Sequence, residues 1–179
     1  MKPVLILYAS YDGQAQRIAR TLALYLSHHA LAVELCDIKQ PPSQYDNCSA
    51  IIMVAAVRYG RHLPEVATFL RSALRQIQHI PLAIASVSLS ARKGNGAPNN
   101  YLRKLISQFN LTPFAVIALA GKLDYPRYSW LDRQMIRFIM YLSGGPSDGR
   151  CSVEYTDWQQ LAVFAQKITT HLCLPTPDE

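Results

Sequence analysis

The sequence predicts a doubly wound α/β fold, a parallel sheet covered by helices on both faces, and three observations lead there. Five short apolar, β-rich runs alternate with segments whose apolar residues recur at the helical period. The run Ala50–Val57 (AIIMVAAV) is apolar at every position, as a central strand buried on both faces must be. Breakers rich in Pro, Gly and Ser separate the runs, and parallel strands joined this way need right-handed crossovers. With 179 residues, 50% of them hydrophobic and 17% charged, the chain fits one domain spanning residues 1–179.

The first run, Pro3–Ala9, ends in the polar turn Ser10–Gly13. From Gln14, Ala15, Ile18, Ala19, Leu22 and Leu26 fall on one face of a helix that ends near His28 and His29. Leu31–Ile38 is the second strand, Pro41-Pro42-Ser43 breaks the chain, and Ala50–Val57 is the third strand. Pro64 suits a helix's first turn, and Val66, Phe69, Leu70, Ala73, Leu74 and Ile77 give that helix a buried stripe before the strand Leu82–Val87. The polar loop Ser88–Asn100 leads to a helix with Leu102, Leu105, Ile106 and Phe109 inward, then to a fifth strand, Phe114–Ala120. The last helix opens on Thr156-Asp157-Trp158-Gln159, which has the form of a capping box, and is expected to bury Trp158, Leu161, Ala162, Ala165 and Ile168. Residues 121–151 break the alternation and are too long for an ordinary connection, so they are expected to be an insertion with a function.

Composition excludes several classes. No apolar run approaches the roughly 20 residues of a membrane-spanning helix. No secretory leader pattern follows Met1, so a cytoplasmic location is expected. Cys36, Cys48, Cys151 and Cys173 lack any metal-ligand or redox spacing, so reduced thiols and no metal site are expected. A net charge of +6 calls for a polyanionic partner: nucleic acid, an anionic membrane surface or an acidic substrate. No RNP-like aromatic pattern or helix-turn-helix spacing supports the first.

In open α/β sheets ligands bind beyond the carboxyl ends of the strands, which directs attention to three loops. Ser10-Tyr11-Asp12-Gly13-Gln14-Ala15-Gln16 joins a strand to a helix start, where free backbone N–H groups attract phosphate. Dinucleotide and nucleoside-triphosphate fingerprints are absent. Ala56-Val57-Arg58-Tyr59-Gly60 places a guanidinium and an aromatic ring after the buried third strand, the ring being suited to lie against a flat ligand. Ser86-Val87-Ser88-Leu89, with Ser90, Arg92 and Lys93 beyond, offers small hydroxyls and cations. Each loop also has an ordinary reading, as a tight turn, an exposed tyrosine or a solvated basic loop.

Taken in order, these loops together with Tyr125-Pro126-Arg127-Tyr128, Trp130, Asp132-Arg133, Met135-Ile136, Ser143-Gly144-Gly145 and Tyr155-Thr156-Asp157-Trp158 resemble the bacterial menaquinone-dependent protoporphyrinogen IX dehydrogenase family. The Tyr-Pro-Arg-Tyr insertion is what separates that family from ordinary flavodoxins. The resemblance implies a flavodoxin-like sheet of order 2-1-3-4-5 and FMN held by Ser10 through Gln16, Ala56 through Gly60 and Ser86 through Leu89. It also implies oxidation of protoporphyrinogen IX to protoporphyrin IX in haem biosynthesis, with electrons passing to a membrane quinone, menaquinone or ubiquinone. The flavin then carries the redox step and no side chain is required as a catalyst. A flavodoxin-type electron carrier and a flavodoxin-like quinone reductase are the alternatives. One departure stands out: the family has Thr after the Gly-Gln pair, where this chain has Ala15, which removes a hydroxyl donor to phosphate.

Within the insertion, Leu131, Met135, Phe138, Ile139 and Leu142, widened by Ile136 and Met140, predict an amphipathic helix stopped by Ser143-Gly144-Gly145-Pro146. It is expected to cover an apolar substrate groove, to touch anionic lipid, or simply to pack on the domain. Candidate substrate contacts are Arg58, Arg92, Lys93, Arg127 and Tyr128, and candidate membrane or quinone contacts are Trp130, Arg133, Arg137 and Phe138. Peripheral attachment to the inner membrane is expected on this reading. The oligomeric state stays open, a homo-oligomer among the alternatives.

Overall fold

A computed structural model of the chain describes residues 2–173. Five parallel strands make the central sheet: β1 (Val4–Ala9), β2 (Val33–Asp37), β3 (Ala50–Arg58), β5 (Leu82–Val87) and β6 (Ala115–Leu119). Their order, β2-β1-β3-β5-β6, is the predicted 2-1-3-4-5. A two-residue strand, β4 (Arg61–His62), folds back antiparallel on the end of β3 and was not foreseen.

Two helices cover each face. On one side α1 (Gln14–His28) and α5 (Trp158–Cys173) bury Ile18, Leu22, Leu161, Phe164 and Ile168 against Val4, Ile6, Ile52 and Val54. On the other, α2 (Pro64–Ile77) and α3 (Asn100–Phe109) bury Val66, Phe69, Leu70, Leu102 and Leu105 against Leu5, Leu7, Ile51, Met53 and Ile84. β3 is buried over most of its length because it lies between both layers. The α1 stripe is the predicted one, residue for residue.

Three expectations are corrected. Leu31 lies outside β2: Ala30 takes a left-handed φ of 61°, and Leu31 donates its N–H to Leu26 O, plugging the end of α1. Thr156 does not cap α5. Its hydroxyl donates to Ala120 O at 2.9 Å, while Asp157 Oδ1 takes the N–H groups of Gln159 and Gln160. Ala162 is exposed and Trp158 half-buried, because the inward stripe runs through Leu161, Phe164, Ala165 and Ile168, a helical turn's third away from Ala162.

The segment after β6 forms β7 (Lys122–Asp124), a 3-10 turn (Tyr125–Arg127), α4 (Trp130–Leu142) and β8 (Ser152–Glu154), with β7 and β8 paired antiparallel. The unit therefore closes at β8, past the predicted boundary at Cys151. Leu123, Tyr125, Tyr128 and Met140 give it a small core. Tyr125 is fully buried and donates its hydroxyl to Pro146 O at 2.8 Å, and burial pushes its pKa up to about 12.

The inserted helix presents its faces in an unforeseen way. Leu131, Met135, Phe138 and Leu142 point to solvent, Phe138 being 62% exposed, and only Met140 is buried. The side facing the protein is mixed: Ile136 and Met140 pack there, and Asp132 and Arg137 find partners beside them.

Candidate active site

The cleft lies at the carboxyl ends of β1, β3 and β5 and is walled by the three predicted loops. In the first loop Gly13 takes φ +88°, a conformation that disfavours a side chain even though a Cβ there would meet open space. Its N–H donates to Ser10 Oγ at 3.1 Å, so Ser10 fixes the turn. Helix α1 begins without a side-chain cap and without an acidic residue in its first turn. The first intrahelical bond runs from Arg17 N–H to Gly13 O, which leaves the N–H groups of Gln14, Ala15 and Gln16 free for a phosphate.

Side chains of this loop are already engaged. Gln14 donates to Thr156 Oγ1 at 2.8 Å and to Glu154 Oε1 at 3.2 Å, and Arg17 pairs with Glu154 at 2.8 Å. Gln16 donates to the Tyr8 hydroxyl at 2.9 Å and turns away from the cleft. Ala15 lines the cleft, and its methyl is buried in the core cluster beneath it.

The second loop is a hairpin. Tyr59 (φ 50°) and Gly60 (φ 76°) form a two-residue turn with both φ values positive, the geometry that matches the twist of paired strands. Holding a tyrosine in that conformation costs about 1–2 kcal/mol. The hairpin is pinned from behind by His62, whose Nε2 lies 2.9 Å from Ser86 Oγ, and by Leu63 N–H donating to Ala56 O at 3.1 Å. Burial lowers the His62 pKa to about 4, so the ring is neutral at ordinary pH. Ser86, predicted as a cofactor contact, is fully buried behind the cleft and serves this bond. Val87, Ser88 and Leu89 do reach the cleft. Ser88 Oγ sits 3.0 Å from Ser90 Oγ and accepts from Asn99 at 3.2 Å.

Arg58 is the most connected side chain of the site. Its guanidinium lies over the Tyr11 ring, 3.5 Å from the centroid, and pairs with Asp132 Oδ2 at 2.5 Å. The Tyr59 hydroxyl also donates to Asp132 and accepts from Arg58 at 3.3 Å. Burial works against the Arg58 charge, but hydrogen bonds to Tyr11 and Asp132 outweigh it and raise its pKa. Burial likewise raises the Asp12 carboxyl, opposed by Arg58 and Arg127.

The helix α4 is clamped over the cleft at both ends. Asp132 in its first turn is held by Arg58 and Tyr59 from the second loop. At its other end Ser143 O accepts from Arg92 and Lys93, both at 2.9 Å, and Ser143 Oγ accepts from Arg92 at 3.0 Å. Cations at a helix C-terminus also complement its dipole. Ile136 and Ile139 complete the cleft wall with Tyr101 of α3 and Tyr128. Tyr128 is buried, and its hydroxyl accepts from Asp124 N–H at 3.2 Å.

The predicted substrate contacts thus divide. Arg58, Arg92 and Lys93 are committed to α4, whereas Arg127 is exposed beside the first loop, 3.5 Å from Asp12 O. Of the predicted membrane contacts, Trp130 and Phe138 are exposed, but Arg133 and Arg137 are half-buried, Arg137 donating to Ser147 O at 2.9 Å. Sequence reasoning placed Ile136 and Ile139 on the inserted helix offered as a cover for the groove, but missed Tyr101 and Lys122 in the wall and His62 behind it. Asp132 was visible in the insertion motif, but nothing local revealed that its partner lay in the second loop.

Comparison with known proteins agrees with this geometry. A family model described as a flavodoxin domain matches residues 5–149. The protoporphyrinogen IX dehydrogenase [quinone] of Escherichia coli K12 is 35% identical over 176 residues, covering 96% of this chain and 97% of that protein. A protein of the same name from Leishmania major is 32% identical, covering 90% of this chain and 72% of its own length. Among solved structures, oxidised flavodoxin 1 from Bacillus cereus superposes with a TM-score of 0.60 at 12% identity, covering 94% of this chain and 98% of that one.

Proposed function

Since the chain belongs to the flavodoxin-domain family that includes the protoporphyrinogen IX dehydrogenases, we propose that it oxidises protoporphyrinogen IX to protoporphyrin IX with FMN and passes the electrons to a membrane quinone. The observation that carries this reading is the clamping of α4 across the cleft by the second and third loops. An electron carrier needs an accessible flavin edge. A roof of Ile136 and Ile139 instead suits a large apolar substrate held out of water.

The site fits FMN. The uncapped, acid-free start of α1 would hold its phosphate, and Tyr59 with Val87, Ser88 and Leu89, which line the cleft, would hold its ring system. When bound, FMN supplies the two-electron redox chemistry. The chain's own residues bind and orient. Ser10 and Gly13 shape the phosphate turn, and His62 and Ser86 hold the Tyr59 hairpin. Asp132 fixes Arg58 and Tyr59, and α4 sets Ile136 and Ile139 along the cleft. Arg127, free of any ion pair among the described residues, is the cation best placed for a substrate propionate.

We place the protein in the cytoplasm, attached peripherally to the inner membrane. Trp130, Leu131, Phe138, Tyr141 and Leu142 form an exposed apolar stripe along α4, the kind of face that sinks into the headgroup region. No helix among the described residues is long and apolar enough to cross a membrane. The test is growth of porphyrin fluorescence when FMN-loaded protein meets protoporphyrinogen IX and a quinone. An electron carrier or a plain quinone reductase gives none.

A further inference from the structure

We propose that the outer face of the α2–α3 layer is an electrostatic docking surface for anionic phospholipid, distinct from the apolar stripe of α4. It deepens the membrane attachment proposed above by naming the surface that reads lipid charge.

The sequence segregates its charge sharply. From residue 66 to residue 123 there is no Asp or Glu, while Arg71, Arg75, Arg103 and Lys104 all fall in this stretch. The fold puts those four on one face of the molecule. α2 and α3 pack their apolar stripes into one core cluster on the same side of the sheet, so their opposite sides form one outer layer. Arg71 and Arg75 on α2 and Arg103 and Lys104 on α3 are exposed, and none has an ion-pair partner among the described residues. The layer's one carboxylate, Glu65 at the start of α2, is engaged by Lys39 at 3.4 Å. The opposite face is mixed: Arg17 on α1 is neutralised by Glu154, and α5 begins beside Asp157. The excess positive charge of the chain therefore has a side.

The partner follows from what surrounds the cations. Between them stand Thr68, Ser72 and Ser107, with no exposed aromatic residue to stack on a base, which disfavours single-stranded nucleic acid. Cations spread over two helices suit a diffuse headgroup surface. The layer also adjoins the apolar helix, for Tyr101 in the first turn of α3 shares the cleft wall with Ile136 and Ile139. Apolar insertion and basic attraction reinforce each other in interfacial binding.

The experiment compares full-length FMN-loaded protein on phosphatidylcholine vesicles with and without phosphatidylglycerol at fixed salt. Two variants, Arg71→Gln/Arg75→Gln and Arg103→Gln/Lys104→Gln, lower the charge of this face, and Arg20→Gln/Lys167→Gln lowers net charge equally on the α1–α5 face. Circular dichroism and melting temperature confirm the fold of each. Each face variant should bind phosphatidylglycerol vesicles about 20-fold more weakly, with the control within about threefold of the parent. Equal losses in the control would show that net charge alone acts and would overturn it. So would parent binding indifferent to phosphatidylglycerol, or affinity for a random RNA strand in place of vesicles. Oxidation of protoporphyrinogen with a water-soluble quinone, measured without vesicles, reports the reaction separately. Its loss in the parent overturns the enzymatic reading and leaves this one standing.

Discussion

Arg58 at the end of β3 and Asp132 in the first turn of α4 form an ion pair whose two side chains are each only 17% exposed, and this pair ties the inserted helix to the cleft. The carboxylate also receives the Tyr59 hydroxyl, so one residue of the insertion holds both side chains of the second loop.

Replacing Asp132 by Asn keeps the shape and removes the charge. Hydrogen bonds to charged groups contribute about 1.5–3 kcal/mol, so α4 should open at least ~10-fold more often. Tryptic cleavage after Arg133 and Arg137 reports this directly. An unchanged cleavage rate would mean that the contacts of Ser143 with Arg92 and Lys93 hold the helix unaided.

Gly13 occupies a left-handed conformation with open space around its missing Cβ, so strain and not collision decides the effect of a side chain there. Gly13→Val should destabilise the fold by about 1–2 kcal/mol and weaken flavin binding by at least ~10-fold, read by fluorescence titration. A folded variant with parental flavin affinity would remove the phosphate from this turn.

His62 gives a pH signature. Its folded pKa of about 4 lies below the ordinary 6.5, so the fold favours the neutral ring. The resulting stability is complete above pH 6.5 and is lost as pH falls toward 4, by roughly 3 kcal/mol at most. Urea midpoints between pH 7 and pH 4 should fall in the parent and flatten in His62→Gln, which cannot titrate. His62→Ala should also change the fluorescence of bound flavin by freeing the hairpin of Tyr59, and His62→Gln should restore it. Identical spectra in all three would leave His62 with a purely structural role.

The insertion can be removed at a natural seam. Asp124 and Ser152 are cross-strand partners in the β7–β8 pair, so Asn-Gly in place of residues 125–151 makes a two-residue hairpin. The α/β core should fold and retain flavin, with affinity lowered no further than in Asp132→Asn. Protoporphyrinogen oxidation should drop by ~100-fold or more through lost positioning. Parental activity in this variant would make α4 a packing element only.

Much of the fold could be read in advance because its strands are short, apolar and separated by Pro- and Gly-containing breaks, and because the α1 stripe obeys the helical period without exception. The errors lie where long-range contacts override local pattern. Thr156 looks like a cap but is drawn to Ala120 O by tertiary structure. Hydrophobic periodicity located α4 but could not orient it, since Asp132 and Arg137 on its inner side are satisfied by Arg58 and Ser147, distant in sequence. The three loops around the cleft were legible from sheet topology. The diversion of Arg92 and Lys93 to Ser143, and of Ser86 to His62, depends on pairings that no spacing encodes.

The most direct measurement is anaerobic addition of protoporphyrinogen IX to the FMN-loaded protein with a quinone as the acceptor, followed by porphyrin fluorescence and by quinone reduction. Both signals should rise together, in proportion to enzyme, and both should fall when Ile136 and Ile139 are changed to Ser. Quinone reduction by another electron donor with no porphyrin formed at any enzyme concentration would contradict it.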